Sequence, residues 1–357
     1  METKTSLAIP VKRALHSRLH EIDWNHLEFG KEIADHMLVS DFAGGQWQSP
    51  QILPFGNWSI APTALAFHYG QTIFEGMKAF RTVDGRVQIF RIQKHYDRMA
   101  RSAERLCMPM VSRELFTEGM KQLVSVDQDW VPKQEGSALY IRPFIIATEA
   151  RLRASISDEY RFSIVTNPTG SYYSHPVRVK VERDFNRAPK GGTGYAKCGG
   201  NYGGAFYPSK LAKEQGYDQI LWTDSRENKY IEEAGTMNAA FVIGGTLVTP
   251  PLSDSILDGV TRDSILKLAK DAGIPVKEQP ISVDELRSAF EKGQLKEAFG
   301  IGTAAVISLI GAIGIDGVDY EVPAVTPDNI SQQVKTALDD LRYGRTADPY
   351  GWNEYID

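Results

Sequence analysis

Short runs of β-branched and apolar residues alternate with helix-periodic segments along the whole chain, and that alternation makes mixed α/β the natural fold class. Val87–Phe90 reads as a strand leading into a helix from Gln93 to about Leu106, with a second helix over Glu114–Val126. Leu139–Ala147 and Tyr160–Thr166 read as strands, and the Pro- and Gly-containing stretch 167–176 as a linker. Beyond it lie a strand at Val177–Glu182, a helix over Tyr202–Gln215, and strands at Gln219–Thr223 and Met237–Ile243. A helix begins near Thr261 and stops at Gly273, and Ser282–Glu285 has the spacing of a capping box. The last helix runs from about Asn329 to Tyr343 and is closed by Gly344. No internal repeat interrupts this order, and 357 residues suffice for about two domains. The linker divides them into a smaller N-terminal α/β domain, 1–170, and a larger C-terminal one, 171–357.

Composition narrows the function classes. Apolar residues at 42% and charged residues at 24% are ordinary globular values, which argues against disorder, collagen and a coiled-coil rod. The longest apolar run, Val306–Ile315, is short and interrupted by glycine, so no membrane span is expected. With 40 basic against 45 acidic side chains, the net charge of −5 gives no basic face for nucleic acid. Cys107 and Cys198 form neither a disulfide framework nor metal-ligand spacing; no metal and a reducing, cytoplasmic compartment are expected. Residues 3–20 lack acids and carry Lys4, Lys12, Arg13 and Arg18, a weak organelle-targeting pattern.

Several catalytic signatures are missing: GxSxG, HExxH and GxxxxGK[ST] do not occur. His16 and His20 have helical spacing without a Glu between them and read as a solvated face. Gly300–Ala305 matches a loose GxGxxA fingerprint, with Asp316 or Asp319 where a ribose carboxylate would stand. The β-branched Val306–Ile310 argues instead for a tight turn whose N–H groups and Thr303 hydroxyl face an anion. Asp258–Asp263 precedes the periodic Ile265, Leu266, Leu268 and Ala269, so its N–H groups lie at the positive end of a helix; alone, this is only a well-capped helix.

Half of Gly191–Gly204, GGTGYAKCGGNYGG, is glycine, which leaves Lys197 where backbone can approach a ligand closely. A flexible loop with an exposed lysine is the plain alternative. Tyr202 and the downstream IEEAGTMN, 231–238, add a phenol and a carboxylate, completing the groups that pyridoxal phosphate needs around its ring.

The ordered strings FEGMKAFR (74–81), HYDRMARSA (95–103), LYIRPFIIATE (139–149), GYAKCGGNYGG (194–204), EEAGTMN (232–238), DGVTRDSIL (258–266) and GIGTAA (300–305) resemble the branched-chain amino-acid aminotransferases, fold-type IV pyridoxal-phosphate enzymes. The resemblance runs from Leu27–Gly30 to the terminal YGRTADPYGW. It implies two α/β domains with the cofactor between them.

By this resemblance Lys197 forms the Schiff base and shuttles the proton. Glu233 pairs with the pyridine nitrogen and Tyr202 with the ring oxygen. Arg98 binds the phosphate with the backbone of Val260 and Thr261 and the Thr303 hydroxyl, although spacing alone allows Arg98 to be one charge on a helix with Arg101 and Arg105. Phe29, Tyr69, Phe74, Tyr140, Tyr202 and Thr236 line the side-chain pocket. The N–H groups of Thr303 and Ala304, with the Tyr69 hydroxyl, take the α-carboxylate, and Arg142 takes the distal carboxylate of glutamate. The family implies a homodimer whose neighbouring subunit closes part of the pocket.

The implied reaction is ping-pong transfer of the amino group of L-Leu, L-Ile or L-Val to 2-oxoglutarate. A D-amino-acid aminotransferase or an aminodeoxychorismate lyase would keep the same lysine, carboxylate and phosphate cup, and a non-catalytic phosphate-binding module remains a reading from another class. Where some relatives carry CxxC after the GT turn, this chain has Ala305-Val306-Ile307-Ser308, so no thiol switch is expected there.

Overall fold

Tyr160–Thr169 is buried along nearly its whole length, as its apolar and β-branched content requires of a central strand. In the computed structural model, which describes residues 7–170 and 175–356, it pairs antiparallel with Ala138–Ala147 on one side and His36–Ala43 on the other. The chain divides into two compact units.

The first unit comprises the described residues of Met1–Tyr172 together with Ala196–Gly199 and Leu341–Asp357. Its sheet runs Asn353–Tyr355, Val87–Phe90, Met77–Arg81, Ala138–Ala147, Tyr160–Thr169, His36–Ala43 and Gln46–Trp47, with Gln51–Pro54 on His36–Ala43 and Thr72–Phe74 on Ala138–Ala147. The helices Ile92–Arg105 and Arg113–Val126 lay Met99, Phe116, Met120 and Leu123 into a core shared with Leu38, Ile73, Ile141 and Phe162.

The second unit comprises Tyr173–Tyr195 and Gly200–Asp340. Its sheet runs Ile231–Ala234, Gln219–Thr223, Val177–Glu182, Val306–Ile315, Leu295–Gly302, Met237–Ile243, Thr246–Thr249 and Val276–Glu278, with Val318–Glu321 on Val306–Ile315. Ile231–Ala234 also pairs with Met237–Ile243, which closes that path on itself. Val177–Glu182 is parallel to both Gln219–Thr223 and Val306–Ile315, and the crossover that a parallel pair demands contains the helix Phe206–Glu214.

The expected elements recur with small shifts at their ends. The Ser282–Glu285 capping box is formed at the head of Val283–Glu291. Two expectations change. Residues 167–169 belong to the strand Tyr160–Thr169 and pair with Ala138–Tyr140, because the Asn, Pro and Thr side chains are buried there. The rest of the proposed linker includes 171–174, which lie outside the described residues, as does the boundary after residue 170. The single helix over Tyr202–Gln215 is instead two, Gly200–Gly203 and Phe206–Glu214, interrupted at Gly204 and Ala205.

Lys4 and its neighbours in 3–6 also lie outside the described residues. Among the described residues no helix is long and apolar enough to cross a membrane.

Candidate active site

Ile92, His95, Met99, Ser102 and Ala103 recur at three- and four-residue intervals, so the helix Ile92–Arg105 buries one face. Arg98 lies on that face and is itself buried. Its Nε donates to Glu75 Oε1 at 2.7 Å and its Nη2 to Glu75 Oε2 at 2.8 Å. The same Oε2 accepts from the Gly76 N–H at 3.1 Å and lies 2.7 Å from His95 Nδ1. Burial alone would raise the pKa of Glu75, but the charge of Arg98 and the hydrogen bonds of Arg98 and His95 outweigh it and hold the carboxyl well below its ordinary range. Burial lowers His95 despite the adjacent carboxylate, leaving a neutral ring that donates from Nδ1.

One turn further along, Ser102 Oγ donates to the Arg98 carbonyl at 3.0 Å and accepts from the Lys197 N–H at 2.9 Å. The Lys197 carbonyl accepts from the Phe74 N–H at 3.0 Å, and the adjacent Cys198 forms a β-bridge with Ile73. Lys197 is therefore pinned through its backbone to both the helix and the FEG segment. Cys198 is a buried member of the hydrophobic core, which accounts for a small, weakly polar side chain beside the lysine.

Around Lys197 the first unit assembles several of the expected pocket residues. Lys197 Nζ lies 4.9 Å from the centroid of the Phe74 ring, and the Arg142 guanidinium lies 4.6 Å from the same ring. Arg142 Nη2 donates to the Tyr140 hydroxyl at 2.9 Å, and Phe29 meets the Tyr140 ring edge-on at 4.8 Å. A Cβ on Gly76 would stand 1.9 Å from that hydroxyl, so only glycine admits Tyr140 here. Tyr69, at the end of the helix Leu65–Tyr69, is 45% exposed, and its hydroxyl donates to the Leu152 carbonyl rather than into this group.

The second unit carries the carboxylate. Ile231–Ala234 and Met237–Ile243 form a hairpin that sets Glu233 opposite Asn238, with Thr236 exposed in the turn between them. Glu233 is buried; Oε1 accepts from Asn238 Nδ2 at 2.9 Å and from the Leu257 N–H at 3.2 Å, while Oε2 pairs with Arg187 Nε at 2.5 Å. Arg187 also donates through Nη2 to the Gly194 carbonyl at 3.0 Å and to that of Ser255, tying the carboxylate to the glycine-rich segment. Neighbouring Glu232 is pushed up by burial, partly offset by a hydrogen bond from Ser255 and by the charge of Arg187.

Asn238 Nδ2 also reaches the Leu257 carbonyl at 2.9 Å, just before the helix Val260–Asp271. A Cβ on Gly259 would stand 1.9 Å from Asn238 Oδ1, so glycine precedes this helix for lack of room. No side chain caps the helix, whose first turn holds the buried Val260 and Thr261 at its positive end. Thr303 and Ala304 are half-buried in the turn joining the antiparallel strands Leu295–Gly302 and Val306–Ile315. GxGxxA is thus a hairpin and opens no helix. Asp316 pairs with Arg183 and Arg287, and Asp319 with Arg178 and Tyr217. Tyr202 is half-buried on Gly200–Gly203, where Asn201 and Thr193 exchange hydrogen bonds of 2.6 and 2.8 Å.

Each unit holds groups of the kinds that pyridoxal phosphate takes: an anchored amine and a buried arginine in the first, and a carboxylate beside a cation and a helix start without a side-chain cap in the second. Among the described residues no group of three or more His, Cys, Asp or Glu is placed to hold a metal. The sequence reading missed Glu75, Ser102, Arg187 and Asn238. Ser102 was open to detection, since 95, 98 and 102 share one helical face; Arg187 has no local signal at all.

The pattern of the class IV amino-transferase family matches residues 72–313. Branched-chain-amino-acid transaminase 1 of Bacillus subtilis (strain 168) is 45% identical over 335 residues, covering 92% of this chain and 94% of that protein. A branched-chain aminotransferase of Thermoproteus uzoniensis, solved with norvaline, superposes with a TM-score of 0.75 at 24% identity, covering 90% of this chain and all of that one. That of Thermobaculum terrenum, in its PLP-form, gives 0.75 at 21% identity over 92% of this chain and 100% of its own.

Proposed function

Since the chain belongs to the class IV amino-transferases, among the branched-chain-amino-acid aminotransferases, we propose that it moves the amino group of L-Leu, L-Ile or L-Val to 2-oxoglutarate by a ping-pong mechanism. Pyridoxal phosphate, when bound, supplies an aldehyde and an electron-accepting ring. Lys197 offers the amine that holds the aldehyde and, once displaced by substrate, carries the proton at the substrate Cα. Glu233 keeps the pyridine nitrogen protonated, and Tyr202 hydrogen-bonds the ring oxygen. Arg98, the first-turn N–H groups of Val260 and Thr261, and Thr303 bind the phosphate.

The observation that carries the reading is the group formed by Lys197, Phe74, Arg142, Tyr140 and Phe29. Apolar rings beside the amine suit branched side chains, each buried methylene contributing about 0.8 kcal/mol. The guanidinium of Arg142 among those rings lets the same pocket accept the distal carboxylate of glutamate. In the second unit the family resemblance gives Thr236 to the side-chain pocket and the Thr303 and Ala304 N–H groups to the α-carboxylate. We further assign a cytoplasmic homodimer; the exposure of Phe67, Tyr69 and Leu152 supports a protein-covered face.

A steady-state donor panel with 2-oxoglutarate tests the substrate class: turnover of L-Leu, L-Ile and L-Val is expected, and turnover of D-alanine alone would overturn it. Borohydride reduction and peptide mapping should find the adduct on Lys197.

A further inference from the structure

We propose that Glu75 is the positioning residue for phosphate recognition: its carboxylate fixes the guanidinium of Arg98, and so sets the preference for the phosphorylated cofactor over the same ring without phosphate. This rests on the reading of Arg98 as a phosphate ligand.

A buried Arg–Glu pair is poor evidence for stability as such, because apolar replacements of similar volume are often as stable or more so. The shape of this pair points elsewhere. Both Glu75 oxygens are used, one on Nε and one on Nη2, and two contacts fix the plane of a guanidinium as well as its place. Glu75 is immobilised in turn, since its Oε2 also meets His95 Nδ1 and the Gly76 N–H. The backbone continues into Phe74, whose N–H binds the Lys197 carbonyl, while Ser102 joins the Lys197 N–H to the Arg98 carbonyl. Arg98 and Lys197 are thereby referenced to each other through two independent paths. A ligand fastened at its phosphate and at its aldehyde needs that distance held.

Charge points the same way. His95 is neutral, so the −1 of Glu75 offsets the +1 of Arg98 and the cluster has little net field. Arg98 then acts through directed N–H groups, whose aim Glu75 sets.

The test titrates full-length apoprotein with pyridoxal phosphate and, separately, with pyridoxal, for wild type, Glu75→Gln and Glu75→Asp. Glu75→Gln should weaken pyridoxal phosphate at least about tenfold, the usual size of losing an outer partner of a ligating side chain, and leave pyridoxal unchanged. Glu75→Asp keeps the charge but is one methylene too short for the two-point grip, and should lose the same preference. It carries the test should the Gln variant fail to fold. Equal weakening of both ligands, or an unchanged ratio in either folded variant, overturns the proposal. Wild type binding neither ligand would instead overturn the cofactor assignment itself.

Discussion

At the residue scale, Lys197 stood out because it is one lysine among glycines, whereas Arg98 shares its helix with Arg101 and Arg105 and Glu233 adjoins Glu232, so those two were singled out by the family resemblance rather than by spacing. Of the groups that hold them, Ser102 was marked only by sharing a helical face with His95 and Arg98, and Arg187 was not marked at all, since it reaches Glu233 from far along the chain. His95 gives a measurable consequence. Burial lowers its pKa and Glu75 lies well below the carboxylate range, so the unfolded chain binds more protons than the folded one at both sites. Stability from both is fully present above the ordinary histidine range, near about 6.5, and declines as pH falls. Thermal midpoints should drop between pH 7 and 5, and His95→Gln should flatten that slope; an unchanged slope would refute the assignment.

At the element scale, periodicity located most helices and strands, and the Ser282 box was readable from four letters. GxGxxA alone fits a helix-opening turn as well as a tight turn between strands, and it was the β-branched Val306 and Ile307 that favoured the tight turn, found in the structure as a hairpin. Two helix starts now predict different phenotypes. Ser282→Ala should cost about 1 kcal/mol of stability and leave cofactor affinity intact. Gly259→Ala drives a methyl into Asn238, which also holds Glu233, so it should lower cofactor affinity as well as cost about 1–3 kcal/mol. Denaturant melts and cofactor titrations on the two variants separate the cases.

At the scale of the whole molecule, a linear reading could not foresee which segments return to the first unit. Pairing of Asn353–Tyr355 with Val87–Phe90 joins residues that share no local pattern, and the Gln88 side chain donates to the Leu341 and Arg342 carbonyls. Deleting Leu341–Asp357 should therefore destabilise the first unit, strip an edge from its sheet and expose Val87–Phe90 to proteolysis. Digestion sites confined to the second unit would refute this.

Ala196–Gly199 belongs to the first unit although Tyr195 and Gly200, on either side, belong to the second. The polypeptide visits the first body for four residues and leaves again, depositing Lys197 there as an inlay. No single cleavage or gene split can free both bodies whole, and a fragment ending after the first stretch of the first unit would keep Arg98 and lack Lys197.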